Sequence, residues 1–553
     1  MLFNGLMSRL RQLVEAVASA LRNADVRRAE LCWGAAITAE WAHFVAFGVF
    51  AYEYGGVAAV GVAGVVRLLP AALVAPFAAS FGDRFPRERF LLAMALLGAL
   101  ALGASAAAFA LDAELLVFGF AALFGLSVTL IRPALQALLP SLARTPTELI
   151  AANGATSTIE GLGTLVGPLI AGLLVAVSGA GLVFAGAAVA LVAGAVAVSR
   201  VRVQGRIELR APVDERGVGR GLVTGLAAVA RAPRPRLVVG LAVAQAFVRG
   251  CLNVLIVVAA FRVLDGGGEA VGYMTAAIGV GGLVGAVGAM TLGGRRLAVP
   301  FGIALVFWGA PIAFIAPSAE LAVAVALLAV VGAANSVEDV ALFTLLQRLV
   351  PDHLLTRVLA VLWSLVMAGV ALGSLAAPVA VDIVGPRPAF VIVGSILPLL
   401  TILTYRRLAA IDQAVAPAPE LELVERVPMF APLSIATKER IAARLTPLAV
   451  PAGEVVIRAG EAGDRFYIVE EGELSVSAAT APLRAGDYFG EIALLRDVPR
   501  TATVTALTET RLVALQRDDF LAAVTGHDAA RAAGEAIAAE RLARTEARTT
   551  AAP

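Results

Sequence analysis

The densest chemistry in this chain lies in Phe489-Gly490-Glu491-Ile492-Ala493, with Arg500-Thr501-Ala502 beginning nine residues after Glu491. Gly490 has no Cβ, so the backbone there can come close to a ligand. A short helix starting near Glu491 would turn free N–H groups and a positive dipole end toward a phosphate. A planar guanidinium such as that of Arg500 is able to donate charge-assisted bonds to an anion, each contributing about 1.5–3 kcal/mol. Other chemistries lack their residues. A Walker A loop needs Gly-Lys-Ser/Thr, and the lone lysine sits in Thr437-Lys438-Glu439-Arg440, so the chain is not by itself an ATP-driven pump. His43, His353 and His527 are far apart, and Cys32 and Cys251 both lie in apolar runs. No metal site, disulfide framework, cofactor or enzymatic activity is therefore expected.

A second group of residues stands out because of where it lies. Glu40, His43, Arg67, Arg132, Glu160, Arg249, Glu338 and Asp339 fall inside long apolar stretches. Ionisable groups are expensive in hydrocarbon, so each one needs a partner or a task. Two readings stay open: pairs that lock helices together or snorkel to an interface, and a proton or substrate relay facing a cavity.

The surrounding composition says what must position these residues. Of 553 residues, 59% are hydrophobic and 16% charged, against about 25% charged in soluble domains. Apolar runs of membrane-spanning length occur at 29–52, 56–80, 90–111, 114–139, 149–177, 180–199, 237–261, 268–292, 298–316, 320–347, 356–382 and 388–404, which predicts twelve helices. No cleavable signal peptide is expected, because residues 1–28 are mixed and Arg-bearing. Placing both termini inside puts nine arginines between Arg200 and Arg236 on the inner side, together with Arg84, Arg87, Arg89, Arg295, Arg296, Arg348, Arg406 and Arg407. The outer loops then keep Arg262 and Arg387, the asymmetry that inner-membrane topology demands. The domains expected are an N-terminal segment 1–28, a six-helix half 29–199, a central inner loop 200–236 and a second half 237–404. A linker 405–428, a soluble domain 429–525 and a C-terminal helix and tail 526–553 follow. In the soluble domain, β-rich segments and glycine turns predict a small β-roll or jelly-roll barrel. Net charge of +2 argues against nucleic acid as a partner.

The loop Ala79-Ser80-Phe81-Gly82-Asp83-Arg84-Phe85-Pro86-Arg87-Glu88-Arg89 resembles the GxxxDRxGRR signature of the major facilitator superfamily. That resemblance implies alternating access of two six-helix halves, with Asp83, Arg84, Arg87 and Arg89 as a charge latch. Ala79, Pro86 and Glu88 depart from the pattern. Gly163, Gly167, Pro168 and Gly172 look like the GxxxGPxxGG signature of exporters in that superfamily, and they also suit plain close packing of helices. Segments around Ile131-Arg132-Pro133 and Leu346-Gln347-Arg348 resemble the branch containing siderophore and drug exporters. Phe118-Gly119-Phe120 stands where proton-coupled members often carry an Arg, so no coupling ion is assigned.

Residues 489–504 are very similar to the phosphate-binding cassette of cyclic nucleotide-binding domains. The resemblance implies that Glu491 accepts from a ribose hydroxyl, that Arg500 pairs the cyclic phosphate and that Thr501 touches phosphate or a guanine amino group. The Ala-rich tail, 529–548, matches a lid helix. Together these readings predict a small-molecule exporter, embedded in membrane lipids, whose inner domain binds cAMP or cGMP as a regulatory ligand. The alternative is a membrane-anchored sensor whose bundle no longer transports and docks a partner; cargo and oligomeric state stay open.

Overall fold

The computed structural model describes residues 22–82, 85–143, 146–201, 225–289, 296–318, 320–350, 352–414, 420–433, 435–479, 481–525 and 528–549. Two compact units divide near Ala414.

In the first unit, eleven helical stretches are long and apolar enough to cross a membrane. The first, Ala24–Gly82, is two helices, because Gly55 and Gly56 leave helical geometry and Gly56 has φ +63°. Only a residue without Cβ takes that backbone readily. The described residues of this unit thus hold twelve long apolar helices: α1 (24–54), α2 (57–82), α3 (Arg87–Ala110), α4 (Glu114–Leu142), α5 (Pro146–Ser178) and α6 (Ala180–Val198) in one half. The other half holds α7 (Pro233–Val258), α8 (Gly267–Ala289), α9 (Ala298–Ile315), α10 (Leu321–Leu349), α11 (Asp352–Val384) and α12 (Pro386–Ala414). Each matches an expected apolar run to within a few residues except α12, which continues ten residues past 404. Leu408, Ile411 and Asp412 are buried at helical spacing there, so the helix runs on through Arg406 and Arg407.

Within the first half, α4 buries Val117, Ala121, Phe124, Val128, Ile131, Leu135 and Leu138 at three- and four-residue steps. That is the stripe a helix turns toward its neighbours. Polar contacts tie the helix ends together. At the Arg-rich end, Asn23 Nδ2 donates to Leu142 O at 3.0 Å and to Glu148 Oε1 at 2.7 Å. At the same end of the second half, the Asp412 carboxylate accepts from the backbone N–H groups of Ala298 and Val299, at 2.7 and 2.8 Å. A residue of α12 therefore caps α9, satisfying two of the four N–H groups that a helix start leaves unpaired.

The second unit is built on two antiparallel sheets. Strands β1 (Thr446–Val450), β2 (Val455–Ile457), β3 (Arg465–Glu471), β4 (Leu474–Val476), β5 (Tyr488–Phe489), β6 (Val504–Ala506) and β7 (Thr510–Gln516) arrange as β1-β7-β3-β5 and β2-β6-β4. Strand β3 reads as an unbroken apolar run because both its faces are covered. Tyr467 and Val469 join a core with Leu474 and Val504 of the smaller sheet. Phe466 and Ile468 point to the other face, against Phe430, Phe520 and Val524. The helices on that side are α13 (Leu421–Arg426), α14 (Ile435–Arg444), α16 (Arg517–Thr525) and α17 (Asp528–Thr549). The short α15 (Glu491–Arg496) interrupts the strands directly after β5.

Candidate functional site

Strand β5 pairs with β3 and delivers the chain into Gly490, which has φ +90° and immediately precedes α15. A Cβ on Gly490 would lie 2.7 Å from Arg500 Nη1 and 3.0 Å from Arg465 O. Glycine is thus required both by the turn and by the closeness of the guanidinium. Arg500 is 3% exposed. It donates to Gly490 O at 3.0 Å, Arg465 O at 2.8 Å and Asp464 Oδ1 at 3.2 Å. Those bonds aim the fork and leave two of its five N–H groups for an anion. Arg500 is paired with the exposed carboxylate of Asp464 and otherwise held by neutral carbonyls, and a phosphate would add negative charge to this buried cation.

Glu491 is 1% exposed, and its carboxylate accepts from Arg541 Nη1 at 2.8 Å. Arg541 also donates to Tyr488 O at 3.0 Å and lies 4.4 Å from the centre of the Tyr488 ring. Burial pushes the Glu491 carboxyl above its usual range, and the Arg541 charge pulls it back only in part. Phe489, Gly490, Glu491, Ile492, Ala493, Arg500, Thr501 and Ala502 all line one cavity of about 570 Å³. Its other wall is apolar, with Val476 and Leu483 among the lining residues. This is the size and character of a small-molecule pocket: an apolar wall with a few polar groups converging on one end. The residue that sequence reasoning missed is Arg541, which α17 carries into the same cavity.

The membrane half of the predicted set is more dispersed. Asp83 and Arg84 lie outside the described residues. Arg87 Nη1 donates to Ala137 O at 2.6 Å, fastening α3 to α4, while Arg89 is exposed. In α5, Gly163 and Gly167 press against α1, where added Cβ atoms would meet Ile37 and Thr38 O. Gly172 instead faces α8: its Cβ would lie 2.9 Å from Gly272 Cα. Near that level, Pro168 O would lie 2.7 Å from a Cβ on Gly272.

Among the expected relay residues, Arg132 pairs Glu160 at 2.9 Å, and Glu40 lies within electrostatic range of both and of Arg67. Arg67 also sits 4.9 Å from the centre of the Phe44 ring. His43 is enclosed by Phe47, Phe124 and Phe184, and among the described residues neither ring nitrogen has a hydrogen-bond partner. In the second half, Asn335 organises the charges. Its Oδ1 accepts from Arg249 and, at 3.1 Å, from Trp308 Nε1, while its Nδ2 donates to Asp339 Oδ2 at 2.9 Å. Glu338 is buried beside this network. Sequence reading missed Asn335 and Trp308, because an uncharged amide and an indole raise no alarm in an apolar run.

Comparison with known proteins follows the same division. Residues 447–527 match the cyclic nucleotide-binding domain. Over 102 residues the chain is 45% identical to a cAMP-dependent protein kinase regulatory subunit of Yarrowia lipolytica, covering 18% of this chain and 27% of that protein. Over 101 residues it is 44% identical to a cyclic nucleotide-gated potassium channel of Rhizobium etli, covering 18% of this chain and 28% of that protein. The chain thus spans little more than a quarter of these curated relatives. A POT-family transporter, solved in complex with a thioalcohol-conjugated peptide, aligns over 70% of this chain and 96% of its own with a TM-score of 0.57. At 13% identity this likeness is one of fold. Residues 31–373 match the Major Facilitator Superfamily. This multi-pass membrane protein therefore belongs to the Major Facilitator Superfamily and carries a C-terminal cyclic nucleotide-binding domain.

Proposed function

We propose that the chain is a secondary transporter that exports a small molecule by alternating access, and that cAMP or cGMP bound in the C-terminal cavity sets its rate. The observation that carries the regulatory half is the convergence of Arg500, Glu491, Gly490 and Thr501 on one cavity of about 570 Å³. Arg500 is the phosphate partner, Glu491 accepts from the ribose hydroxyl and α17 supplies the lid. The transport half is supported by the contacts between the two halves away from the Arg-rich ends. There Tyr52 stacks on Phe261 at 4.5 Å, Arg262 Nε donates to Tyr52 Oη at 3.2 Å, and Gly172 meets Gly272. This is the arrangement of a carrier closed on the side opposite its basic loops, with the paired charges of α1, α2, α4 and α5 and the Asn335 network serving cargo or coupling ion. The bond from Asp412 to α9 gives the nucleotide domain a route into the bundle. The connection to that domain leaves α12 just beyond Asp412, α9 carries Trp308, and Trp308 holds Asn335. A ligand biases such a carrier only by its differential affinity for the two access states.

The test is flux in reconstituted vesicles with and without each nucleotide, for the full chain and for a chain ending after residue 413. The reading requires flux by both and a nucleotide response by the full chain alone. Equal flux with and without nucleotide removes the regulatory half, and no flux by either protein removes the transport half.

A further inference from the structure

A groove of about 660 Å³ lies between the first turns of α7 and the last turns of α12. Its lining includes Arg234, Arg236 and Arg407, and no Asp or Glu lines it. Arg236 Nη1 donates to Ala230 O at 3.2 Å. Among the described residues, none of the three guanidinium groups is in an ion pair, and all three side chains are exposed. The start of α7 adds the positive end of a 26-residue helix. The floor has the opposite character. Leu237 and Leu400 line it, and a Cβ on Gly240 would meet nothing within 4 Å, so open space continues toward the bilayer interior. Next to it on α12, Leu399, Ile402 and Leu403 are 57%, 69% and 78% exposed, an apolar face that lipid must cover.

We propose that this groove is a binding site for an anionic glycerophospholipid, its phosphodiester between Arg234, Arg236 and Arg407 and an acyl chain laid along Leu237, Gly240 and Leu400. The chemistry selects among occupants. A zwitterionic headgroup would bring a further cation into a site that already holds three, whereas an anionic one neutralises it. A free phosphate would satisfy the guanidinium groups and leave the apolar slot unfilled. The inference stands independently of nucleotide regulation, because both helices belong to the transport bundle.

The experiment uses the full chain in detergent with mixed micelles of phosphatidylglycerol, phosphatidylcholine or inorganic phosphate added. Thermal unfolding and native mass spectrometry of retained lipid are the readouts. Phosphatidylglycerol is expected to raise the midpoint and to remain bound, while phosphatidylcholine and inorganic phosphate do neither. In the double variant Arg234→Gln with Arg407→Gln, retention falls roughly 30-fold, at about 1 kcal/mol for each arginine near a lipid surface. The pair Arg234→Lys with Arg407→Lys keeps most of it. Should the glutamine variant fail to fold, Gly240→Leu fills the chain slot without touching charge and lowers retention in its place. Equal retention by parent and variants overturns the proposal, and so does a shift from inorganic phosphate as large as that from phosphatidylglycerol.

Discussion

Arg500 ties together the wall of the candidate nucleotide pocket and is its proposed phosphate partner, so the informative replacement keeps the charge and removes the fork. In Arg500→Lys an ammonium can reach one of the carbonyls Gly490 O and Arg465 O and cannot also present a planar pair of donors. Calorimetry with cAMP should show affinity lower by about 100-fold, equivalent to one or two charge-assisted bonds, with circular dichroism unchanged. Glu491 makes a second, pH-dependent prediction. Burial raises its carboxyl, so the unliganded fold favours the protonated form. That stabilisation is complete below the ordinary carboxylate range and is lost as pH rises through the raised value. Nucleotide binding runs the other way, because accepting from a ribose hydroxyl uses the ionised form. Affinity should therefore fall as the medium is acidified through the raised value of that carboxyl. Glu491→Gln should bind more weakly at neutral pH and lose that slope; a slope that persists in Glu491→Gln assigns it to another group. Both residues were legible in sequence as a pair nine apart along one segment, and the fold brings both into one cavity. Arg541 was not. Its contact with Glu491 spans 50 positions, and α17 also carries Arg531, Arg544 and Arg548 with nothing local to distinguish them.

Helix α12 joins the bundle to the C-terminal unit, and its last turns were the element hardest to read. The pair Arg406-Arg407 looks like the inner end of a span under the positive-inside pattern. The buried Leu408, Ile411 and Asp412 beyond it continue the helical stripe for two more turns, because they pack on a neighbour that hydropathy cannot see. The twelve spans themselves were legible, since a run of about 20 apolar residues has few other uses. If α12 conducts the nucleotide signal, Asp412 is where it enters α9. Asp412→Ala removes two short carboxylate bonds to a helix start, and bundle stability should drop by about 1–2 kcal/mol. The specific outcome is uncoupling. Calorimetric affinity for the nucleotide stays at the parent value, and basal flux persists, while flux no longer changes on nucleotide addition. A full response in the variant would take the signal path away from this bond.

The two halves of the bundle meet at Tyr52 and Phe261 and at Gly172 and Gly272, away from the basic loops, and the contact between α5 and α8 is the place to test what that means. Glycines four apart on α5 were readable as a stripe for close packing. Which helix each would face was not, because spacing fixes a stripe on one helix while the partner depends on how both halves assemble. Gly163 and Gly167 turned out to serve α1 within the first half, and Gly172 serves α8 across the interface. A Cβ on Gly272 would sit 2.7 Å from both Gly172 Cα and Pro168 O, backbone atoms that cannot swing aside as a side chain would. Gly272→Val should therefore penalise this closed arrangement while leaving the opposite access state intact. Since transport needs both states, flux should fall roughly tenfold or more, with nucleotide affinity unaltered because the C-terminal cavity is untouched. Accessibility gives the sign. The native Cys32 and Cys251 are buried, so a cysteine placed at Tyr52 in both backgrounds, each then lacking the Tyr52 contacts to Phe261 and Arg262, compares closure between them. Membrane-impermeant maleimide should label that cysteine faster in the Gly272→Val background than in the parent. Slower or equal labelling would mean that the Gly172–Gly272 contact is passive packing and that the closed side is held elsewhere.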